Sequence, residues 1–109
     1  MLINFSEFIN SNKKVAIIFY NTKNLSKNYI DIKNYLDENK IETKLINVED
    51  AEDAIEIAIQ YYIETLPAVL FFMNHKYIYD LTIENATLDK IKNIINRLKN
   101  PKYFSKIVK

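Results

Sequence analysis

Reactive side chains are scarce in this sequence, and the scarcity limits its chemistry before any fold is considered. There is no cysteine, so disulfides, thiolate nucleophiles, iron–sulfur clusters and cysteine-ligated zinc are excluded. The one histidine, His75, cannot build a multi-histidine metal site, and it sits in a short polar stretch that reads as a turn. Glycine is also absent, which removes the P-loop and the dinucleotide fingerprint, since both need glycine where backbone closely approaches a phosphate. That absence has a bland cause: a chain rich in Ile, Asn and Lys and poor in Arg and Trp has the composition that AT-biased codons produce. Glu49, Asp50, Glu52, Asp53 and Glu56 are dense enough to suggest a cation site. They fall, however, where a helix should start, and acidic residues stabilise that end on electrostatic grounds alone. No catalytic residue, metal-ligand set or cofactor is expected.

What stands out instead is Thr65-Leu66-Pro67, running straight into the apolar segment Ala68–Met73. A proline at the mouth of a buried strand cannot donate to the sheet ladder and is often held cis, so it marks a specialised turn. The elements that must position this turn can be read along the chain. Leu2-Ile3-Asn4 suits a short strand, and Ser6 suits the cap of a short helix that carries Phe8 and Ile9 inward. Val15–Tyr20 is continuously apolar and β-branched, the pattern of a strand covered on both faces. Leu25, Tyr29, Ile32 and Leu36 recur at helical spacing, with Lys33, Asp37 and Glu38 outside. Ile41–Val48 returns to strand composition. Asp50 can cap a second helix that carries Ala51, Ala54, Ile55, Ala58, Tyr61 and Tyr62 and ends near Glu64. Ala68–Met73 and Tyr77–Thr82, separated by Asn74-His75-Lys76, read as an antiparallel hairpin. Leu88, Ile91, Ile94, Ile95 and Leu98 close the pattern with an amphipathic helix.

With 109 residues, the chain is long enough for one domain that folds without disulfide or metal. Fifteen basic residues stand against fourteen acidic, and the two signs are mixed along most of the chain, so nucleic acid is not an expected partner. The longest apolar runs span six residues, far too short to cross a bilayer, and no signal-peptide pattern opens the chain; a cytoplasmic location is expected. The content of lysine, isoleucine, glutamate and tyrosine is compatible with a thermophilic or viral source, a signal that codon bias reproduces.

In element order from Leu2 to Leu98 the chain resembles the thioredoxin family. The matching marks are the strand ending Phe19-Tyr20, the loop leading into a helix at Ser26, Thr65-Leu66-Pro67 at the place of that family's cis-proline, the hairpin, and a closing helix. The resemblance implies an α/β fold with a central mixed sheet of four to five strands (β-α-β-α-β-β-α) flanked by helices. It implies a thioredoxin-like domain over residues 1–99, with residues 100–109 left as a basic C-terminal tail. The family's two-cysteine motif would fall at Lys23-Asn24-Leu25-Ser26, and neither cysteine is present. That chemistry needs a thiolate of lowered pKa at a helix N-terminus and a neighbouring thiol to resolve it; a serine hydroxyl forms no exchangeable disulfide. What the resemblance leaves is a binding geometry in which the backbone of Leu66 pairs with an extended segment. Lys23, Asn24, Leu25, Ser26, Thr65, Leu66 and Pro67 would then form the recognition surface.

The leading expectation is a non-catalytic module that recognises a protein or peptide segment there, without thiol–disulfide exchange. One alternative is a glutathione- or thiol-binding enzyme of glutaredoxin or transferase type, using Ser26 or Lys23 to orient a bound thiol. A second is a structural homodimer joined through an edge strand at Tyr77–Thr82.

Overall fold

The computed structural model describes residues 7, 8, 10, 14–22, 28–49 and 52–107. The strand expected at Leu2-Ile3-Asn4 and the caps expected at Ser6 and Asp50 lie outside the described residues. Of the expected N-terminal helix, Glu7, Phe8 and Asn10 are helical.

The elements run β1 (Lys14–Tyr20), α1 (Asn28–Glu38), β2 (Glu42–Asn47), α2 (Glu52–Gln60), β3 (Ala68–Met73), β4 (Lys76–Tyr77), a 3-10 turn (Tyr79–Leu81), α3 (Leu88–Leu98) and α4 (Pro101–Ile107). The sheet has the order β2-β1-β3-β4. β1 and β2 are parallel, joined by the α1 crossover, with Ile17 opposite Lys44. β3 runs antiparallel to both β1 and β4, with Ile17 opposite Leu70.

The continuous apolar runs are explained by two cores, one on each face of the sheet. Ala16 and Ile18 of β1 and Val69, Phe71 and Met73 of β3 point to one face, where α1 and α3 cover them with Ile32, Leu36, Ile91 and Ile95. Val15, Ile17, Phe19, Ala68, Leu70 and Phe72 point to the other, against Ala54 and Ala58 of α2. Side chains alternate along a strand, so a strand covered on both faces must be apolar at every position. Phe19, Phe71, Ile17 and Leu70 are fully buried, each contributing roughly 1.5–3 kcal/mol of transfer free energy.

With no glycine available, left-handed backbone positions fall to other residues. Helix α1 ends in a Schellman motif: the Ile41 N–H donates to Leu36 O and the Lys40 N–H to Asp37 O, with Lys40 at φ 63°. Helix α2 ends the same way, with Ile63 N–H to Ala58 O, Tyr62 N–H to Ile59 O, and Tyr62 at φ 57°. That motif stops α2 at Gln60 rather than near Glu64. Asn74 and His75, at φ 51° and 70°, form the β3–β4 turn with both central residues left-handed, as a type I′ hairpin requires.

One segment differs from expectation. Tyr77–Thr82 is not a full strand: pairing with β3 covers only Lys76–Tyr77, the chain then turns through Tyr79–Leu81, and it rejoins β3 at a single bridge between Ile83 and Val69. The basic segment after Asn100 forms α4, whose Tyr103 and Phe104 pack on the α1–α3 core. Pro101 at its first position needs no N–H there, and the Asn100 side chain accepts from the Lys102 N–H.

Candidate functional site

The turn at Thr65-Leu66-Pro67 is braced from one side by residues 83–86. The Glu84 carboxylate accepts hydrogen bonds from the backbone N–H groups of Glu64 and Thr65, the second at 2.9 Å. The Ala86 N–H donates to Pro67 O at 2.8 Å, and Val69 and Ile83 exchange backbone bonds of 2.8 and 3.0 Å. Asn28, at the start of α1, donates its side-chain amide to Ala86 O at 2.9 Å, tying that helix to the same brace. Pro67 is buried, and the Leu66–Pro67 peptide bond is cis.

Leu66 itself is left out of this network. Among the described residues, neither its N–H nor its C=O has a hydrogen-bond partner. A peptide group left without a partner in this way can pair with an added strand. Its side chain is half-buried and forms one wall of a shallow groove of about 180 Å³, completed by Val48, Ile55, Ala58, Ile59 and Ile63, with Glu64 at the edge.

The groove lies on the outer side of α2. Ile55 and Ile59, one helical turn apart, are 48% and 65% exposed, and Tyr62 just beyond is 83% exposed. Ala54, Ala58 and Ile57 pack under the sheet, and Ile55 and Ile59 are turned to the surface. The signal was present in the sequence. Residues 54–63 are apolar at Ala54, Ile55, Ile57, Ala58, Ile59, Tyr61, Tyr62 and Ile63, more than one buried face can use.

The other expected site residues, Lys23, Asn24, Leu25 and Ser26, lie outside the described residues. Thr65 is exposed, Leu66 borders the groove, and Pro67 sits beneath. Thr22, at the end of β1, donates from both its N–H and its hydroxyl to the Glu49 carboxylate at 2.7 Å. In the acidic segment, Asp50 and the side chains of Glu52 and Asp53 also lie outside the described residues. Among those described, no three His, Asp or Glu side chains come together in a metal-binding arrangement. His75 is exposed at its hairpin turn, away from the groove-lining residues.

An aromatic cluster gathers around Tyr61, just past the C-terminal end of α2. The Tyr61 ring meets Tyr77 edge-on at 4.9 Å and Phe72 at 6.0 Å, and Tyr77 meets Tyr79 at 6.4 Å. Burial raises the Tyr61 hydroxyl pKa above its ordinary value, with repulsion from Tyr77 adding to it. Burial also raises Tyr77, against the opposing effect of its hydrogen bond with Thr82.

No protein-family model and no curated protein matches the sequence. Solved structures do. Thioredoxin f2 of Chlamydomonas reinhardtii superposes with a TM-score of 0.71 at 18% identity, covering 89% of this chain and 91% of that one. Oxidised thioredoxin of Plasmodium falciparum gives 0.66 at 16% identity, over 92% and 94% of the two chains. Malassezia sympodialis thioredoxin gives 0.65 at 22%, over 84% and 82%. This is a thioredoxin fold without cysteine. The thioredoxin-like sheet and helices are retained, but the chain has no thiol of its own to exchange. Among the described residues, no helix is long and apolar enough to cross a membrane.

Proposed function

We propose that this thioredoxin-like chain is a non-catalytic binding module that captures a protein or peptide segment in extended conformation at Leu66. The observation behind it is the Leu66 peptide group, which has no partner among the described residues and belongs to a residue whose side chain lines an apolar groove. Strand addition uses the same two components: main-chain hydrogen bonds give affinity, and a pocket for an alternate side chain gives selectivity. Exposed Ile55 and Ile59 support it, because isolated large apolar side chains are common on surfaces whereas adjacent ones lining a concavity mark contact sites. The proposed surface also takes in Lys23, Asn24, Leu25 and Ser26, the residues that the resemblance assigns to it.

The test is selection of random twelve-residue peptides on the immobilised protein, followed by affinity measurement on wild type, Leu66→Asp and Ile59→Asp. Ile59 is mostly exposed, so its substitution leaves the circular dichroism spectrum and melting temperature near wild type. A charge buried at an apolar contact should cost about 2 kcal/mol or more, roughly thirtyfold in Kd. Unchanged affinities in both variants reject the surface. Calorimetric titration with glutathione addresses the thiol-substrate alternative: heat on wild type that vanishes in Leu66→Asp would move the reading toward it.

A further inference from the structure

The chain is close to neutral overall, but its charges are separated by region. From Asn47 to Thr65 there are six acidic residues and no basic one, while from Lys90 to Lys109 there are seven basic residues and no acidic one. The groove lies within the acidic stretch. Glu64 forms part of its edge, Glu56 follows Ile55 on the exposed side of α2, and Glu84 stands behind the loop through its bonds to the Glu64 and Thr65 N–H groups. No basic residue is among the groove's lining residues.

We infer that the segment captured at Leu66 is cationic: an extended partner peptide with one large apolar side chain in the groove and Lys or Arg two positions to either side. The inference rests on the peptide-capture reading above and adds the partner's chemistry to it. Side chains at i and i+2 of an extended chain share a face, so when the apolar residue enters the groove its i±2 neighbours lie along the edge. A long basic side chain can lay its methylenes over Ile59 and Tyr62 while its charge reaches Glu56 or Glu64. Complementary charge of this kind acts mainly on selectivity and encounter rate, and it is screened beyond about 8 Å at physiological salt. An acidic segment would meet the same carboxylates as repulsion, which excludes it as a partner.

The experiment uses three fluorescent peptides on the full chain: acetyl-Thr-Lys-Thr-Leu-Thr-Lys-Thr-amide, and the same peptide with both lysines replaced by glutamine or by glutamate. Affinities are measured by anisotropy at low and high salt. The lysine peptide should bind roughly fivefold tighter than the glutamine peptide at low salt, with the glutamate peptide weakest and the differences collapsing at high salt. The double variant Glu56→Gln and Glu64→Gln should bring the lysine peptide to the affinity of the glutamine peptide. Equal binding of all three overturns the charge assignment and leaves peptide capture standing. Binding of none overturns both. Light scattering that shows self-association abolished by Ile59→Asp, and not displaced by the lysine peptide, would assign the groove to the basic end of a second copy and overturn the inference.

Discussion

Lys40 holds a position that costs the fold stability, and replacing it should show how much. It is the C′ residue of α1, at φ 63°, with the two hydrogen bonds of the Schellman motif closing around it. In the left-handed region an L-residue pays about 1–2 kcal/mol for the contact of its Cβ with the carbonyl, and glycine pays none. Glycine loses more freedom on folding, about 0.5–1 kcal/mol, so Lys40→Gly should leave a net gain of about 0.5–1 kcal/mol. The lysine side chain is exposed, so little packing is lost with it. In a domain of this size the gain corresponds to a rise in melting temperature of about 2–6 °C. Urea unfolding should show a higher midpoint with an unchanged slope, which separates a stability change from a change in the denatured state. Glu56→Gly, in the exposed interior of α2, supplies the opposite sign and should lower stability by about 0.5–1 kcal/mol. If Lys40→Gly leaves the midpoint unchanged or lowers it, the left-handed position is not a cost and the account of glycine-free helix ends fails.

Other outcomes follow from single contacts. Thr87 caps α3 by accepting from the Lys90 N–H, so Thr87→Ala should lower stability by about 1 kcal/mol in urea unfolding, and an unchanged midpoint would remove the cap's role. Tyr61 and Tyr77 have folded-state pKa values above that of a free phenol, so the unfolded chain ionises first. Their contribution is fully present below about pH 10 and is lost as the pH climbs through the folded-state values. Thermal unfolding from pH 9 upward should show this fall, with a shallower one in Tyr61→Phe; equal slopes would argue against it. In an insulin reduction assay with dithiothreitol the protein should give the rate of the blank, and acceleration would require a redox group other than cysteine.

The architecture was legible because burial leaves a periodic trace. Val15–Tyr20 and Ala68–Met73 are apolar at every position for the simple reason that both faces of the sheet are covered, and Leu88 to Leu98 repeats at helical spacing. Less legible was what depends on backbone geometry. Nothing in the composition of Tyr61-Tyr62-Ile63 announces a Schellman motif when glycine is missing, so α2 was expected to run on to Glu64. Tyr77–Thr82 has strand composition, yet the chain turns at Tyr79–Leu81 because Leu81 is buried against the core while Tyr79 stays exposed. At the site, Thr65-Leu66-Pro67 could be singled out from residue types alone, whereas the groove could not. Ile55 and Ile59 look like core residues in sequence, and only the placement of Ala54 and Ala58 under the sheet shows that the isoleucines face out.

We propose that this fold, without thiols, keeps a peptide-binding edge at Leu66. Amide resonances followed while the lysine peptide is titrated into labelled protein read that edge residue by residue. Shifts should concentrate at Ile59, Ile63, Thr65 and Leu66, with slower hydrogen exchange at the Leu66 N–H as the added strand accepts its bond. Shifts confined to α3 and α4, or a Leu66 amide that exchanges as fast at saturation as in the free protein, would contradict it.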